Sequence, residues 1–407
     1  MRKILTTIFP ALFISLALQS IGYASEFTDK VEKAFDDDLV GLSFRYRYEF
    51  VDDDVNTDAN ANTLKTSFTL APKVGDWLFL GQVDDVRHIG SDHFNDTRDG
   101  QTSYATVVDP EGTGINQLFI RYSGLKDTPI TVGRQAIQRA NLRYVGGVEW
   151  RQNEQTFDAA AISFDNKKLT LYYSYVDLVS RIYGPDSGTP PRDLNSETSL
   201  VDASYTFAPW LKVFGYGYFL DFTDTNAYGL SNQTLGLRAT GKIGSADAIN
   251  VDYVAEFGSQ EDYGDNPTEY DADYYQLAAK LNVSNFSFLA GYEVLGGDVS
   301  AGQGFQTPLA TLHKFQGWAD KFLSTPVGGI RDANVGATAK LFGATFGVYY
   351  HDFESDEGSM DYGQEIDVSA LWKIGKYYSV LLKGASYDAK DFSTDTNKAW
   401  IQLQAAW

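Results

Sequence analysis

The stretch Leu42-Ser43-Phe44-Arg45-Tyr46-Arg47-Tyr48-Glu49-Phe50 alternates apolar or aromatic residues with polar or charged ones. Because successive side chains of a β-strand point to opposite faces, it predicts a strand with one face suited to lipid and one to water. The same period of two recurs around Leu118–Tyr122, Val251–Phe257 and Ile366–Trp372. Segments of about ten residues suit a tilted membrane-crossing strand. The alternation therefore predicts an all-β fold, a transmembrane antiparallel β-barrel.

The connections between these segments alternate in length along the chain. Short ones are predicted at Pro72–Asp76, Lys126–Pro129, Asn166–Lys168, Ala208-Pro209, Gly244–Asp247, Ser284-Asn285 and Gly375-Lys376, and long ones at Gly90–Gly112, Ile182–Ser196, Ser259–Thr268 and Val299–Gly329. Outer-membrane barrels have short periplasmic turns and long extracellular loops. Counting the segments gives about 18 strands, enough to enclose a water-filled channel unless a loop fills it.

The N-terminus has the pattern of an export signal. Met1-Arg2-Lys3 precedes an apolar run from Ile4 to Leu18, and small residues follow before Ser25. We expect residues 1–24 to be a cleaved signal peptide, residues 25–38 a short periplasmic segment and residues 39–407 the barrel. The expected location is the outer membrane of a Gram-negative bacterium. The alternative to a cleaved signal peptide is an uncleaved N-terminal membrane anchor.

The chain ends on an alternating segment whose last residue is Trp407. Barrels of this class commonly end on Phe or Trp, which their assembly machinery reads. We therefore expect Trp407 to be an assembly signal and that machinery to be a partner. The alternative, that the last strand only pairs with the first, is compatible with this expectation.

Composition limits the remaining classes. The chain has no cysteine, which excludes disulfides and thiolate metal sites, and its formal charge of −21 argues against a nucleic-acid partner. Aromatic residues make up 14% of it, as expected where girdles meet outer-membrane lipid and lipopolysaccharide. The histidines and acidic runs lack the spacing of metal sites. We expect no cofactor, no metal and, without any catalytic motif, no enzyme.

Basic and amide side chains that could contact solute are concentrated in one block. Arginine binds carboxylates as a rigid fork, and amides bind hydroxyls. The candidates in and around this block are Arg134, Gln135, Arg143, Arg151 and Asn153, and alternation places Arg45, Arg47, Arg121 and Arg238 inside the barrel. Arg134 shares parity with Ile130 and Val132, which would turn it toward lipid unless the strand is bulged. Pairing of these arginines with wall carboxylates is the alternative to a role in solute contact.

The longest predicted loop, residues 298–330, contains a second candidate region. Apolar residues within Thr307–Phe322 recur at spacings of three and four, which predicts a short amphipathic helix capped by Thr307 and begun by Pro308. Such a helix would either narrow the channel or pack over its rim. The candidates for a constriction are His313, Lys314, Trp318, Asp320 and Lys321.

Both regions resemble the alginate export porin family of Gram-negative bacteria. The text that carries the resemblance is Val132-Gly133-Arg134-Gln135, Arg143, Trp150-Arg151-Gln152-Asn153, Gln155-Thr156-Phe157-Asp158 and Thr307–Phe322. The resemblance implies an eighteen-stranded channel whose best-known member exports a uronate polymer through an arginine-lined, anion-selective pore. Alternation also places Glu49, Asp252, Glu256, Glu293, Glu365 and Asp367 in the lumen, so a uniformly positive pore is not evident.

The leading hypothesis is a passive channel for hydrophilic solutes, with acidic oligosaccharide or polysaccharide of the alginate type favoured. The alternatives are a general porin of low selectivity and a plugged barrel with a structural or adhesive role. Direction of transport and oligomeric state stay open.

Overall fold

The computed structural model of the protein describes residues 39–90, 93–245 and 249–407. The expected signal peptide and the periplasmic segment 25–38 lie outside the described residues. The described residues form eighteen barrel strands and almost no helix, which confirms the predicted fold.

The barrel strands follow one another in chain order around the wall. They are β1 Val40–Asp52, β2 Ala59–Leu70, β3 Trp77–His88, β4 Gly112–Tyr122, β5 Ile130–Gln135, β6 Thr156–Asp165, β7 Leu169–Ser180, β8 Asp193–Ala208, β9 Leu211–Leu220, β10 Asn232–Gly244, β11 Ile249–Asp262, β12 Asp271–Val283, β13 Phe286–Leu295, β14 Ile330–Leu341, β15 Ala344–Glu354, β16 Asp361–Ile374, β17 Tyr378–Ala389 and β18 Thr396–Ala406. Two-residue ladders at Lys73–Val74, Gly297–Asp298 and Gln303–Gly304 add to these.

The barrel closes where the first strand pairs with the last. β1 pairs with β18 in antiparallel register from Ser43 opposite Ala406 to Asp52 opposite Asn397. Trp407 extends this pairing, because its N–H donates to the carbonyl of Leu42 at 2.8 Å and its carbonyl accepts from the N–H of Leu42 at 3.0 Å. A closed ring leaves no free sheet edge in the membrane.

Alternation sets the two faces of the wall as the sequence predicts. On β4, Leu118 is 56% exposed on the outer face, whereas Phe119 beside it is buried. On β1, Arg47 and Glu49 point inward and are almost fully buried. Since these charged side chains have lost contact with bulk water, other groups in the lumen must cover them.

The two ends of the barrel carry opposite charge. In the described residues, the long loops between strands contain twenty Asp or Glu and nine Lys or Arg, while the short turns contain two and five. The short turns share the end of the barrel that holds both Val40 and Ala406. The side with the long loops is therefore acidic and the side with the turns is basic.

The long loops fold into the lumen and build a hydrophobic core there. A continuous cluster of buried side chains joins Tyr144, Phe305 and Leu309 of the loops to Tyr274 of β12 and Trp400 of β18. Its wall residues come from β6 to β9 and β12 to β18. None of the helices in the described ranges is long and apolar enough to cross a membrane.

Candidate functional site

Two loops meet inside the barrel and form a partition across its bore. Loop A comprises residues 136–155, between β5 and β6, and loop B comprises residues 296–329, between β13 and β14. Val145 and Leu309 form a parallel bridge, and the N–H of Gly146 donates to the carbonyl of Leu309 at 2.9 Å. The Gln155 side chain donates to Gly146 and Leu309 carbonyls at 2.9 and 3.0 Å, respectively. The backbones of the two loops are thus fastened together.

Arg143 of loop A is fixed by a buried ion pair. Its Nε lies 3.2 Å from Glu293 Oε1 on β13, and its Nη2 donates to Gln316 Oε1 of loop B at 2.7 Å. The guanidinium also lies 4.4 Å from the ring centroid of Phe315. Since Arg143 and Glu293 are both nearly inaccessible to solvent, this arginine joins loop A to loop B and to the wall instead of facing a solute.

Arg151 and Arg45 anchor the last part of loop A to β1. Arg151 donates two hydrogen bonds to Glu49, at 3.1 and 3.2 Å, and lies 3.7 Å from Asp109. Arg45 donates to the Gln152 side chain at 2.9 Å and to the backbone carbonyl of Glu149 at 2.7 Å. Ion pairs of Arg151 and hydrogen bonds from Arg45 therefore position residues 149–152 against the wall.

His313 lies at the centre of the partition. Its ring stacks on Trp150 of loop A with a centroid separation of 4.3 Å, and its Nδ1 lies 2.7 Å from Asp320. Burial lowers the pKa of His313 to about 3, despite the nearby Asp320 carboxylate. Lys383 of β17 lies 2.6 Å from the other ring nitrogen and 3.6 Å from the centroid of Trp318. The imidazole is thus neutral, able to accept from the Lys383 ammonium.

The segment after His313 is held by the opposite part of the wall. Asp320 accepts from Lys398 of β18 at 2.9 Å, and the neighbouring His313 and the Lys398 ammonium hold the pKa of its carboxyl well below the ordinary range despite burial. Glu365 of β16 accepts from the N–H of Ala319 at 2.7 Å, and Lys321 donates to Thr396 at 2.8 Å. Together with Lys383 of β17, these contacts bind loop B to three neighbouring strands.

The helix expected over Thr307–Phe322 does not form, and this part of the prediction is wrong. Its only helical element is a 3-10 turn at Leu312–Lys314, which Thr311 precedes without a side-chain cap. Gln316, Gly317 and Asp320 have positive φ angles of 48°, 76° and 60°, which an α-helix cannot accommodate. The apolar spacing instead reflects separate contacts with a lumen that surrounds the loop.

A cavity of about 1380 Å³ lies between the partition and the strand ends that carry the short turns. Nine Lys or Arg and four Asp or Glu line it. Four of the cations, the mouth lysines Lys212, Lys242, Lys280 and Lys373, each lie within three residues of the turn end of their strand. Lys314, at the edge of loop B, is also exposed to this space.

The luminal carboxylates are mostly engaged with basic groups or loop backbone. Glu49 pairs with Arg151, Glu256 with Arg238, Glu293 with Arg143, Glu365 with loop B backbone, Asp252 with Lys242 and Lys280, and Asp367 lies 3.9 Å from His351. Alternation predicts side chains of both charges in the lumen, and the structure gives these two sets different positions. Glu49, Glu293 and Glu365 fasten the loops, whereas Glu256 and Asp252 pair with cations of the wall, and cations outnumber carboxylates in the cavity below the loops.

Arg134 is not in the lumen, and its prediction as a pore-lining candidate is wrong. It lies beside Leu118 on the outer face of β5 and binds Asp158 of β6 through two hydrogen bonds of 2.7 and 2.8 Å. The strand alternates without a change of face, so Arg134 shares the outward side of Val132, which is 55% exposed. The position of Arg134 in the alternation of the strand, and not its residue type, decides which face it lies on.

The remaining sequence candidates lie inside the barrel. Gln135 is buried and donates to the carbonyl of Ala159 at 3.0 Å, and Arg121 donates to Thr131 at 2.9 Å. Both line a second cavity of about 410 Å³. Asn153 donates to the carbonyl of Pro110 at 2.9 Å. Arg45, Arg47 and Arg238 line the larger cavity.

Sequence reasoning missed Lys383, Lys398 and Trp150, which complete the cluster around His313. Lys383, the one basic residue of β17, shares inward parity with Ser379 and Leu381, a signal that could have placed it in the lumen. No group of three or more His, Asp or Glu in residues 39–90, 93–245 and 249–407 is arranged to hold a metal ion.

A family model described as alginate export matches residues 38–281, and no curated protein matches the chain. Solved structures of similar fold include Pseudomonas aeruginosa OpdK with vanillate, at 15% identity and a TM-score of 0.70, covering 90% of this chain and 98% of that one. Acinetobacter baumannii OccAB2 is 16% identical with a TM-score of 0.71, covering 90% and 97%. Pseudomonas aeruginosa OccD3 is 14% identical with a TM-score of 0.66, covering 90% and 91%. At these identities the likeness is one of fold.

Proposed function

Because the chain belongs to the alginate export family of outer-membrane channels, we propose that it passes acidic oligosaccharides or polysaccharides. The observation that carries the proposal is the excess of cations over carboxylates around the 1380 Å³ cavity, in a chain whose overall charge is −21. An acidic protein that concentrates Lys and Arg in its lumen favours anionic solutes there.

The cavity offers suitable groups for a uronate. Lys314 and the mouth lysines supply ammonium groups for carboxylates, and Arg45 and Arg238 supply guanidinium groups. Asn141, Asn334 and Gln402 add amide donors and acceptors for sugar hydroxyls. Low-dielectric walls concentrate the field of these cations along the path of the solute.

Reversal potential across a planar bilayer under a salt gradient tests the proposal. We expect preference for chloride over potassium, and we expect neutralising all four mouth lysines with glutamine to reduce it. Lys390→Gln, in an exposed loop at the other end of the barrel, is the matched control and should change the preference less. Cation selectivity of the unmodified channel would contradict passage of a polyanion.

A second candidate, a plugged barrel with a structural or adhesive role, is favoured by the continuous core that joins the loops to the wall. Liposome swelling with uncharged and acidic sugars of graded size separates these functions. Faster entry of acidic than neutral sugars of equal size supports the proposal, while equal rates indicate a general porin. No size-dependent swelling with any sugar indicates a plugged barrel.

A further inference from the structure

The partition contacts the wall in two chemically different ways. From β6 to β9 and from β12 to β18, wall residues join the hydrophobic core. The buried cations there, Arg143 and Lys383, lie over the rings of the core residues Tyr274 and Trp400, so water must separate apolar surfaces to pass. Between β1–β4 and residues 149–154 of loop A, the contacts are polar and charged. We call this second contact the wall seam.

The wall seam is a chain of buried hydrogen-bonding groups. Gln152 donates to Thr63 of β2 at 2.8 Å, and its backbone N–H donates to Asp109 at 2.7 Å. Further along β2, Lys65 lies 2.8 Å from Asp84 and 2.5 Å from Glu154. Water can replace such contacts one hydrogen bond at a time, which an apolar core does not allow.

Two charged side-chain atoms in the wall seam are buried and have ion-pair contacts of 3.7–3.8 Å but no hydrogen bond among the described residues. They are Arg47 Nη1 and Asp109 Oδ2. An unsatisfied buried ionic atom is costly, and water is its usual partner. Of the further polar contacts between loop and wall, the one made by Gln260 of β11 with Thr234 and Gln306 contributes no such atom and serves as the comparison.

Open space flanks the wall seam at both ends. Arg45 and Glu149 at one end line the 1380 Å³ cavity. Asn116 and Glu154 at the other end line a small cavity, with room for about one water molecule, next to the long loop 181–192. Asn116 donates to Glu154 at 2.9 Å, so the line of polar groups continues from one cavity to the other.

We propose that ions and solutes cross the partition along the wall seam, between residues 149–154 and β1–β4, and not along the axis of the barrel. Small hydrated anions pass when residues 149–154 move briefly away from the wall, and a larger acidic solute displaces these residues from it. This inference rests on the proposed channel function and adds the route to it.

Because the chain contains no cysteine, single cysteines can locate the route. Asn116→Cys places a thiol in the wall seam, and Thr234→Cys places one in the comparison contact of Gln260, on the opposite wall. Silver ion, an ion-sized thiol ligand, is added during single-channel recording in potassium nitrate. We expect it to lower the conductance of Asn116→Cys at least about twofold and to leave Thr234→Cys unchanged.

If silver blocks only Thr234→Cys, or blocks neither variant although current flows, the proposed route is wrong and the channel function still stands. Absence of current in the unmodified protein refutes the channel function instead. Gln152→Ala gives a second reading that does not depend on a buried thiol. Removing the amide that closes the wall seam should raise conductance, and an unchanged conductance counts against the route.

Discussion

The ion pair between Arg143 and Glu293 allows a quantitative test of how loop A is held. Replacing Arg143 with methionine keeps much of the side-chain volume but leaves Glu293 buried without its cation. Removing one partner of a buried pair costs about 3–5 kcal/mol. The barrel wall keeps its hydrogen-bonded ladders, so we expect this cost to fall on docking of the loops.

That energy shifts the ratio of docked to undocked loop by between roughly a hundredfold and several thousandfold. We therefore expect Arg143→Met to show larger or noisier single-channel conductance and faster proteolysis within residues 136–155. Replacing both partners, as Arg143→Met with Glu293→Leu, should recover much of the docking, because neither buried charge then remains. If Arg143→Met behaves like the unmodified protein, or if the double variant is disturbed by the sum of the single effects, this ion pair does not hold loop A in place.

Three further predictions concern other parts of the molecule. Burial lowers the pKa of His313 to about 3 when the loops are docked, against ~6.5 when it is exposed, so each pH unit of acidification from ~6.5 down to about 3 favours undocking by about 1.4 kcal/mol. Conductance should therefore rise between pH 7 and pH 5, and His313→Gln, which keeps Asp320 and Lys383, should remove the rise. Trp407→Lys places a charge in the aromatic girdle beside Tyr378, so we expect low surface abundance with normal conductance per channel, and normal abundance would exclude an assembly role. Replacing Arg134 and Asp158 together with leucine should leave ion selectivity unchanged in reversal-potential measurements, since the pair lies outside the lumen; altered selectivity would contradict that placement.

Much of the barrel can be predicted from the sequence because a period of two is a local property. Leu118 and Phe119 differ in face simply because they are neighbours on a strand. The same rule predicts that Arg45 and Arg238 line the lumen, and it gives the outward position of Arg134 when parity is followed in preference to composition.

The partition could not be predicted in the same way. Glu365 and Lys383 hold loop B from strands more than forty residues away along the chain, and no local pattern encodes such pairs. The spacing within Thr307–Phe322 suggested a helix because it was interpreted as one apolar face against one wall. Inside a barrel, a loop has wall on every side, so an irregular backbone can bring the same apolar residues into contact with it.

The attachment of the loops to many strands also limits how this barrel can be re-engineered. Loop A and loop B find their counter-ions on β1, β13 and β18, through Glu49, Glu293 and Lys398, and Lys383 of β17 donates to His313. Grafting either loop onto another eighteen-stranded scaffold would separate it from those partners and place unpaired charges in the recipient lumen. The transferable unit for nanopore design is therefore a loop together with the wall positions that receive it.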